Sequence, residues 1–418
     1  MVCPRQGEVR RFGVVTQELH CLAQYLQEQG IKSVAMESTG YHWKPLFLLL
    51  QDYGFETILV NARHIKNVKG RKTDVVDSQW IQLLHSLGLL SASFQLDNLT
   101  EELRQYTRQR RYLVEQRSKF VNKMHAALVQ MNIQLGTVLS DLTGKSGQAI
   151  IQAIIQGQRD GKALAQLADW RVKASQEQIE RALEGNWREE LLFELEQCYE
   201  LYHVFGQQIA RCDERIEQLL QTETASQGVA QKPYPGKKKR QKNDPAFDVA
   251  TLFYQLSGVD FAAIGGVSDA TLLAVFSEVG WKLDKFPSEK HFCSWLNLAP
   301  QPKVSGGKVL STKTPKKKNR AADALRLAAN TIGNSPSHPL YAFFQGQLRK
   351  KGRAHAIVAT AHKLAIILYH MVTRQEPFSY MSSEEYQDKM RQQSLRAAKK
   401  IIGKHQFSLQ ELGLVASS

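Results

Sequence analysis

The sequence predicts three successive architectures: an α/β domain, a long helical middle and a mainly α-helical C-terminal domain. Three observations carry this. Apolar strands alternate with amphipathic helices over the first ninety residues. Apolar residues recur at steps of four and three from Leu191 to Leu219. Beyond a polar, basic stretch the chain is again apolar at helical spacing. The expected divisions are an α/β domain at 1–95, a helical coiled-coil region at 96–221, a basic flexible linker at 222–246, a C-terminal domain at 247–380 and a polar tail at 381–418.

In order, Gly7 to Val15 reads as a strand. Thr16 to Gly30 reads as a helix, with Leu19, Leu22 and Leu26 on one face and Gly30 as its stop. "IKSVAMES" is a short strand ending at Glu37, "YHWKPLFLLLQDYG" a helix closed by Gly54, "ETILVNA" another strand, and Thr73 to Leu90 a helix. Asn98 and Glu101 fit a capping pair. Behind them Leu99, Tyr106, Leu113, Phe120 and Ala127 repeat every seven residues. The second long helix carries Leu191, Leu195, Cys198, Tyr202, Phe205, Ile209, Cys212, Ile216 and Leu219 as a coiled-coil seam. The two helices can pair as a hairpin within one chain or join two subunits.

Composition narrows the function. The chain has 418 residues, 43% of them hydrophobic, and a net charge of +15. Such a charge attracts polyanions, above all nucleic acid, although solubility alone also produces basic chains. No run approaches the ~20 apolar residues of a membrane span, and the start shows no signal peptide. Five scattered cysteines without a CxxC argue against a disulfide framework or a zinc site and favour the cytosol.

The charge clusters beside chemistry. "GRKTDVVDSQW" places Asp74 and Asp77 three residues apart at a helix start, so both can face one spot. Glu37 ends a strand, at the edge where open α/β sheets bind ligands. Three carboxylates at one point repel unless a cation sits among them, and Mg²⁺ suits oxygen ligands and a phosphate substrate. Arg63, His64, Lys66, Lys69, Arg71 and Lys72 would hold the phosphate backbone. The plainer alternative is that acids at a helix start only complement its dipole.

The C-terminal half has two further stretches. "IGGVSDATLLAVFSEVG" has a glycine turn like that of helix-hairpin-helix modules, or else is a helix start capped by Ser268 or Asp269. In "APQPKVSGGKVLSTKTPKKKNR", Ser305 precedes two glycines amid Lys303, Lys308, Lys316, Lys317, Lys318 and Arg320. A serine attacking a phosphodiester needs such charge to stabilise its transition state. A Ser-Gly-Gly turn in a solvated basic loop is the alternative. His355, His362 and His370 lie on an apolar C-terminal helix and read as packing or phosphate contacts.

"AMESTGYHWKPL" followed by "VNARHIKNVKGRKTDVVDSQWIQLL" resembles the N-terminal domain of the insertion-sequence-110 family of DEDD transposases, and the likeness runs over nearly the whole chain. That domain resembles the resolvase RuvC and is RNase H-like. The family's second, third and fourth acids match Glu37, Asp74 and Asp77. Its nucleophilic serine, in an "SGGK" context, matches Ser305. The resemblance implies a transposase or recombinase with Mg²⁺ as cofactor and a composite active site. It implies serine attack that leaves a transient DNA–serine phosphodiester, DNA and a structured bridge RNA as partners, a dimer or tetramer, and a place in the cytoplasm at the nucleoid. Lys237, Lys238, Lys239 and Arg240 in the linker would contact nucleic acid.

Two departures stand out. No aspartate precedes Glu37, so the first strand and first acid are expected to be missing from this polypeptide. Lys318, where the family often has glycine, precedes Asn319. The rival readings are a RuvC-like metal nuclease that uses water, for which Ser305 is dispensable, and an inactive truncated remnant that binds nucleic acid.

Overall fold

Two parallel strands joined through a helix frame the first of two units. The computed structural model describes residues 2–3, 9–38, 40–61, 74–226, 242–315, 317–380 and 383–405. The chain divides into Met1–Gln95 and Leu96–Ser418, and its described residues are largely helical.

In the first unit, helix α1 (Thr16–Glu28) ends before Gly30, whose φ of 65° is the left-handed stop that glycine takes without strain. Strand β1 (Ser33–Glu37) leads through α2 (Trp43–Asp52) to β2 (Glu56–Val60). The strands pair in parallel from Ser33 opposite Glu56 to Glu37 opposite Val60, a pairing that requires a crossover such as α2. Leu22, Ala23, Leu26, Leu50 and Phe55 form the core. The helix expected over 73–90 is α3 (Asp74–Ser86).

The strand expected at Gly7–Val15 is not formed over its described residues. Only a single antiparallel bridge joins Val2 and Arg10. The Gly13 amide turns to the Glu18 carboxylate, which ends any extended run before α1.

The second unit is built on α4 (Asn98–Gln130) and α9 (Glu189–Ser226). They run antiparallel within one chain: Phe120 stacks on Phe205 at 5.4 Å and Arg110 meets Asp213 nearer the other end. The hairpin alternative therefore holds, and the seam faces its own chain. The cap of α4 is Asp97, not Asn98. Asp97 is extended (φ −69°, ψ 161°) and its carboxylate accepts from the Thr100 amide at 2.8 Å. The seam also holds polar residues that apolar spacing does not reveal: Thr100, Thr107 and Arg110 on α4, Asp213 and Thr224 on α9.

Between these helices lie α5 (Leu135–Val138), α6 (Lys145–Ile155), α7 (Gly161–Ala165) and α8 (Gln176–Ala182). They close a core with Met124, Leu128, Ile150, Ile154 and Leu195.

The expected linker at 222–246 is only partly a linker. Residues 222–226 continue α9, and 227–241 lie outside the described residues. Lys242 Nζ donates to both Asp141 carboxylate oxygens at 2.7 Å, and the Ala246 amide donates to Asp213.

Then follow α10 (Val249–Ser257), a 3₁₀ turn (Phe261–Ile264), α11 (Asp269–Val279), α12 (Glu289–Trp295), the antiparallel pair β3 (Lys303–Ser305) and β4 (Lys308–Ser311), α13 (Arg320–Ile332), α14 (Tyr341–Lys351) and α15 (Arg353–Arg374). Glu278 fixes α11 to α4: it accepts from Arg108 Nε and Nη2, each at 2.8 Å. Helix α15 is long and apolar enough to cross a membrane by length and composition, yet half of its most apolar window is buried in the protein. Within the expected polar tail, Ser383–His405 form helix α16, seated on α14 through Tyr386 against Phe343.

Candidate active site

Glu37 is the last residue of β1, and Asp77 stands one turn into α3. Both line one cavity of ≈ 750 Å³ in the first unit, walled by Leu22, Leu26, Leu46, Leu50 and Ile81. Its lining runs along all of β1 from Ser33 to Glu37, and Glu37 stands at the carboxyl end, where open α/β sheets bind ligands. Two carboxylates on one cavity are the hard oxygen donors that suit Mg²⁺. Asp74 begins the same helix, but its side chain lies outside the described residues. Among the described residues no three His, Cys, Asp or Glu side chains converge as a metal cluster.

A feature without a sequence signal orders this cavity. Ser33 Oγ and His85 Nε2, both on its lining, hydrogen-bond at 2.7 Å. Ser33 opens β1 and His85 stands near the end of α3, so this bond ties together the two elements that carry Glu37 and Asp77. A lone serine and a lone histidine 52 residues apart obey no spacing rule, which is why no motif discloses them.

Ser305 belongs to the second unit. It ends β3, and Gly306 (φ 53°) and Gly307 (φ 74°) make the turn to β4. Two successive left-handed residues define the two-residue hairpin turn that matches strand twist, and glycine takes both without strain. Ser305 lies opposite Lys308 in the register, and both are exposed, as is Lys303. Among the described residues no side chain hydrogen-bonds Ser305. The hairpin's roots are held: Gln301 N–H donates to Lys313 O at 3.3 Å. Asn319 caps α13 through the Ala322 amide while its Nδ2 donates to Trp295 O at 3.2 Å. Asn319 thus has an anchoring role with Lys318 before it.

The other expected contacts divide. Arg63, His64, Lys66, Lys69, Arg71, Lys72, Lys237, Lys238, Lys239, Arg240 and Lys316 lie outside the described residues. Lys317, Lys318 and Arg320 are exposed near the hairpin's return. At the glycine turn, Gly265 and Gly266 are both left-handed, Ser268 caps α11 by accepting from the Thr271 amide, and His338 Nε2 bonds Ile264 O at 2.5 Å from below. The cap alternative is realised at Ser268 rather than Asp269. On α15, His355 is exposed. His362 Nδ1 meets Leu298 O at 3.2 Å, and burial holds its imidazole below the ordinary histidine pKa.

Residues 7–133 match the family model for the DEDD transposase of IS110 elements, described as "Transposase". Residues 260–340 match the model described as "Transposase IS116/IS110/IS902 family". No curated protein matches the chain. The second match contains the glycine turn, the serine hairpin and its anchoring Asn319.

Proposed function

The chain belongs to the IS110 family of transposases, and from that premise we propose that it cuts and rejoins insertion-sequence DNA with Ser305 as nucleophile. The observation that carries the proposal is the hairpin: an exposed hydroxyl at a two-glycine turn, with Lys308 across the register and Lys303 on the same strand.

Ser305 Oγ would attack a phosphodiester phosphorus and expel one DNA oxygen, and the serine proton would pass to a base. One P–O bond forms as another breaks, so the reverse step rejoins strands without an external energy source. Lys303 and Lys308 would offset charge growing on the phosphoryl oxygens. Glu37, Asp74 and Asp77 would hold Mg²⁺, which when bound supplies Lewis-acid stabilisation of that charge. The 1–95 division would house the carboxylates and 247–380 the serine, with the 1–95 fold RNase H-like and the Gly265–Gly266 turn acting as in helix-hairpin-helix modules. A structured element-encoded RNA would select the sites, as the family resemblance implies, in an oligomer acting in the cytoplasm at the nucleoid.

A second reading rests on one observation: among the described residues no base hydrogen-bonds Ser305, as a water-using nuclease would allow. Incubation with element-end DNA, flanking noncoding RNA and Mg²⁺ separates the two. The serine mechanism gives a protein–DNA adduct that maps to Ser305 and vanishes in Ser305→Ala, while Ser311→Ala retains it. Cleavage and rejoining by Ser305→Ala would overturn the proposal.

A further inference from the structure

From Lys389 to His405, helix α16 carries Lys389, Arg391, Arg396, Lys399, Lys400 and Lys404 and no acidic residue. At 100° per residue, Lys389, Arg396, Lys399 and Lys400 fall on one side of the helix. Residues 391–401 are all exposed. Anchorage lies at the N-terminal end, where Tyr386 meets Phe343 at 6.1 Å.

This arrangement is unfavourable for a solvated helix alone. Arg396 with Lys399, Arg396 with Lys400 and Lys400 with Lys404 are like-charged pairs at i,i+3 and i,i+4, which destabilise a helix. Only Lys404, in the last turn, gains from the helix dipole. The crowding extends to α15, where Lys363 is held below the ordinary lysine pKa by burial and then by neighbouring Lys389. A polyanion would remove this repulsion. Leu395 and Ile401 are exposed by 56% and 57%, but six residues apart they do not share a heptad seam, so the face does not suit a partner helix.

We propose that α16 is a duplex-DNA-binding arm, laying Lys389, Arg396, Lys399 and Lys400 along phosphate backbone. DNA is chosen because the chain is a transposase; the inference rests on the DNA-handling part of the proposed function and not on its serine chemistry. Its seventeen residues from Lys389 to His405 span about 25 Å, and one phosphate per ~1.7 Å of duplex axis gives every cation a partner. The contacts are to phosphate, so they position DNA without reading its sequence.

The test uses the full chain, a random-sequence 30-base-pair duplex and the triple variant Arg396→Gln/Lys399→Gln/Lys400→Gln. Glutamine keeps helix propensity, and unchanged far-UV circular dichroism verifies folding. Three lost phosphate contacts should reduce the slope of log affinity against log salt by about two to three, and weaken binding on the order of 10²-fold at 100 mM salt. An unchanged slope in the triple variant, with steep salt dependence in the parent, overturns the arm alone. A parent that binds without salt dependence overturns the arm and the DNA reading together. A lighter oligomer for Leu395→Ser/Ile401→Ser, with no slope change in the triple variant, assigns the helix to subunit contact and overturns the proposal.

Discussion

Truncating Glu278 should detach α11 from α4. The carboxylate takes two hydrogen bonds of 2.8 Å from Arg108 and lies 3.4 Å from Arg104 Nε. Arg104 also donates to the Glu278 backbone oxygen at 3.1 Å. Side-chain exposures are 8% for Glu278, 15% for Arg104 and 36% for Arg108. Burial already lowers the Arg104 pKa against the opposing pull of Glu278, so removing the carboxylate leaves a guanidinium in poor solvation. Breaking a buried pair costs about 3–5 kcal/mol. Arg108 can turn to water, which places Glu278→Ala near the lower end. Each kcal/mol lowers Tm by about 2–4 °C in domains of ~150–250 residues and by less in larger ones; for the larger Leu96–Ser418 unit about 3 kcal/mol therefore lowers Tm by roughly 6 °C. Differential scanning fluorimetry reads it, and hydrogen exchange should show faster amides in α11 and the facing part of α4. Glu278→Gln should fall between parent and Ala. A Tm within about 1 °C of the parent for Glu278→Ala would refute the reasoning.

Other outcomes follow from the same contacts. Asp77→Asn, and separately Glu37→Gln, should abolish Mg²⁺-dependent cleavage with Tm unchanged; full activity in either removes that acid from the site. His85→Ala should raise the Mg²⁺ concentration needed for half-maximal cleavage and His85→Gln should restore it in part; no shift in either leaves the Ser33 bond without a positioning role. Because the folded His362 pKa is depressed below ~6.5, its contribution to stability is present above that value and lost as pH falls through the folded one. His362→Gln should therefore shrink the Tm difference between pH 7.5 and pH 5.0, and an equal difference in both proteins contradicts this. Lys242→Ala should increase exchange at 243–246, since burial raises the Asp141 pKa but its hydrogen bonds with Lys242 and Thr143 outweigh this and lower it; unchanged exchange there would show that Arg110 and Asp213 hold the segment alone.

What the sequence disclosed depended on whether burial follows apolar periodicity. Helix α1 was legible because Leu22 and Leu26 repeat toward one core and Gly30 stops the helix. The Leu191–Leu219 periodicity was legible for the same reason, with Leu191, Leu195, Cys198, Ile209 and Ile216 buried. Arg110 and Asp213 were not, since a charged residue reads as surface until a partner 103 residues away satisfies it at 2.5 Å. Helix α16 was missed because it buries almost nothing, and exposed polar residues show no period. The hairpin β3–β4 was missed as strands because nearly every residue on both faces is exposed, leaving no alternation of the kind that marks a half-buried strand. Of the candidate site, Glu37 and Asp77 were legible as candidates, and both line the same cavity. The Ser33–His85 bond beside them was not, since two residues 52 apart in sequence obey no spacing rule.

The acids and the serine are held by different means. Glu37 sits in the β1–β2 ladder opposite Val60, and Asp77 on a helix tied to β1 through His85 and Ser33. Ser305 sits on a hairpin with no buried side chain, and an isolated two-stranded hairpin is marginal in water. Its local order comes from the glycine turn and from its roots at Gln301, Lys313 and Asn319. Nucleophilic attack needs reacting atoms within about 3–3.5 Å and aligned. On the proposed serine mechanism, a hairpin held only at its roots would gain that precision when its lysines engage phosphate, so that DNA binding energy would go into orienting Ser305. Exposure would then be useful: among the described residues no side chain hydrogen-bonds Ser305, so its hydroxyl would be activated only once substrate completes its surroundings. On that proposal, arming by substrate rather than by a permanent serine–base pair would fit both a hydroxyl that no described side chain bonds and the exposed Lys303 and Lys308 beside it.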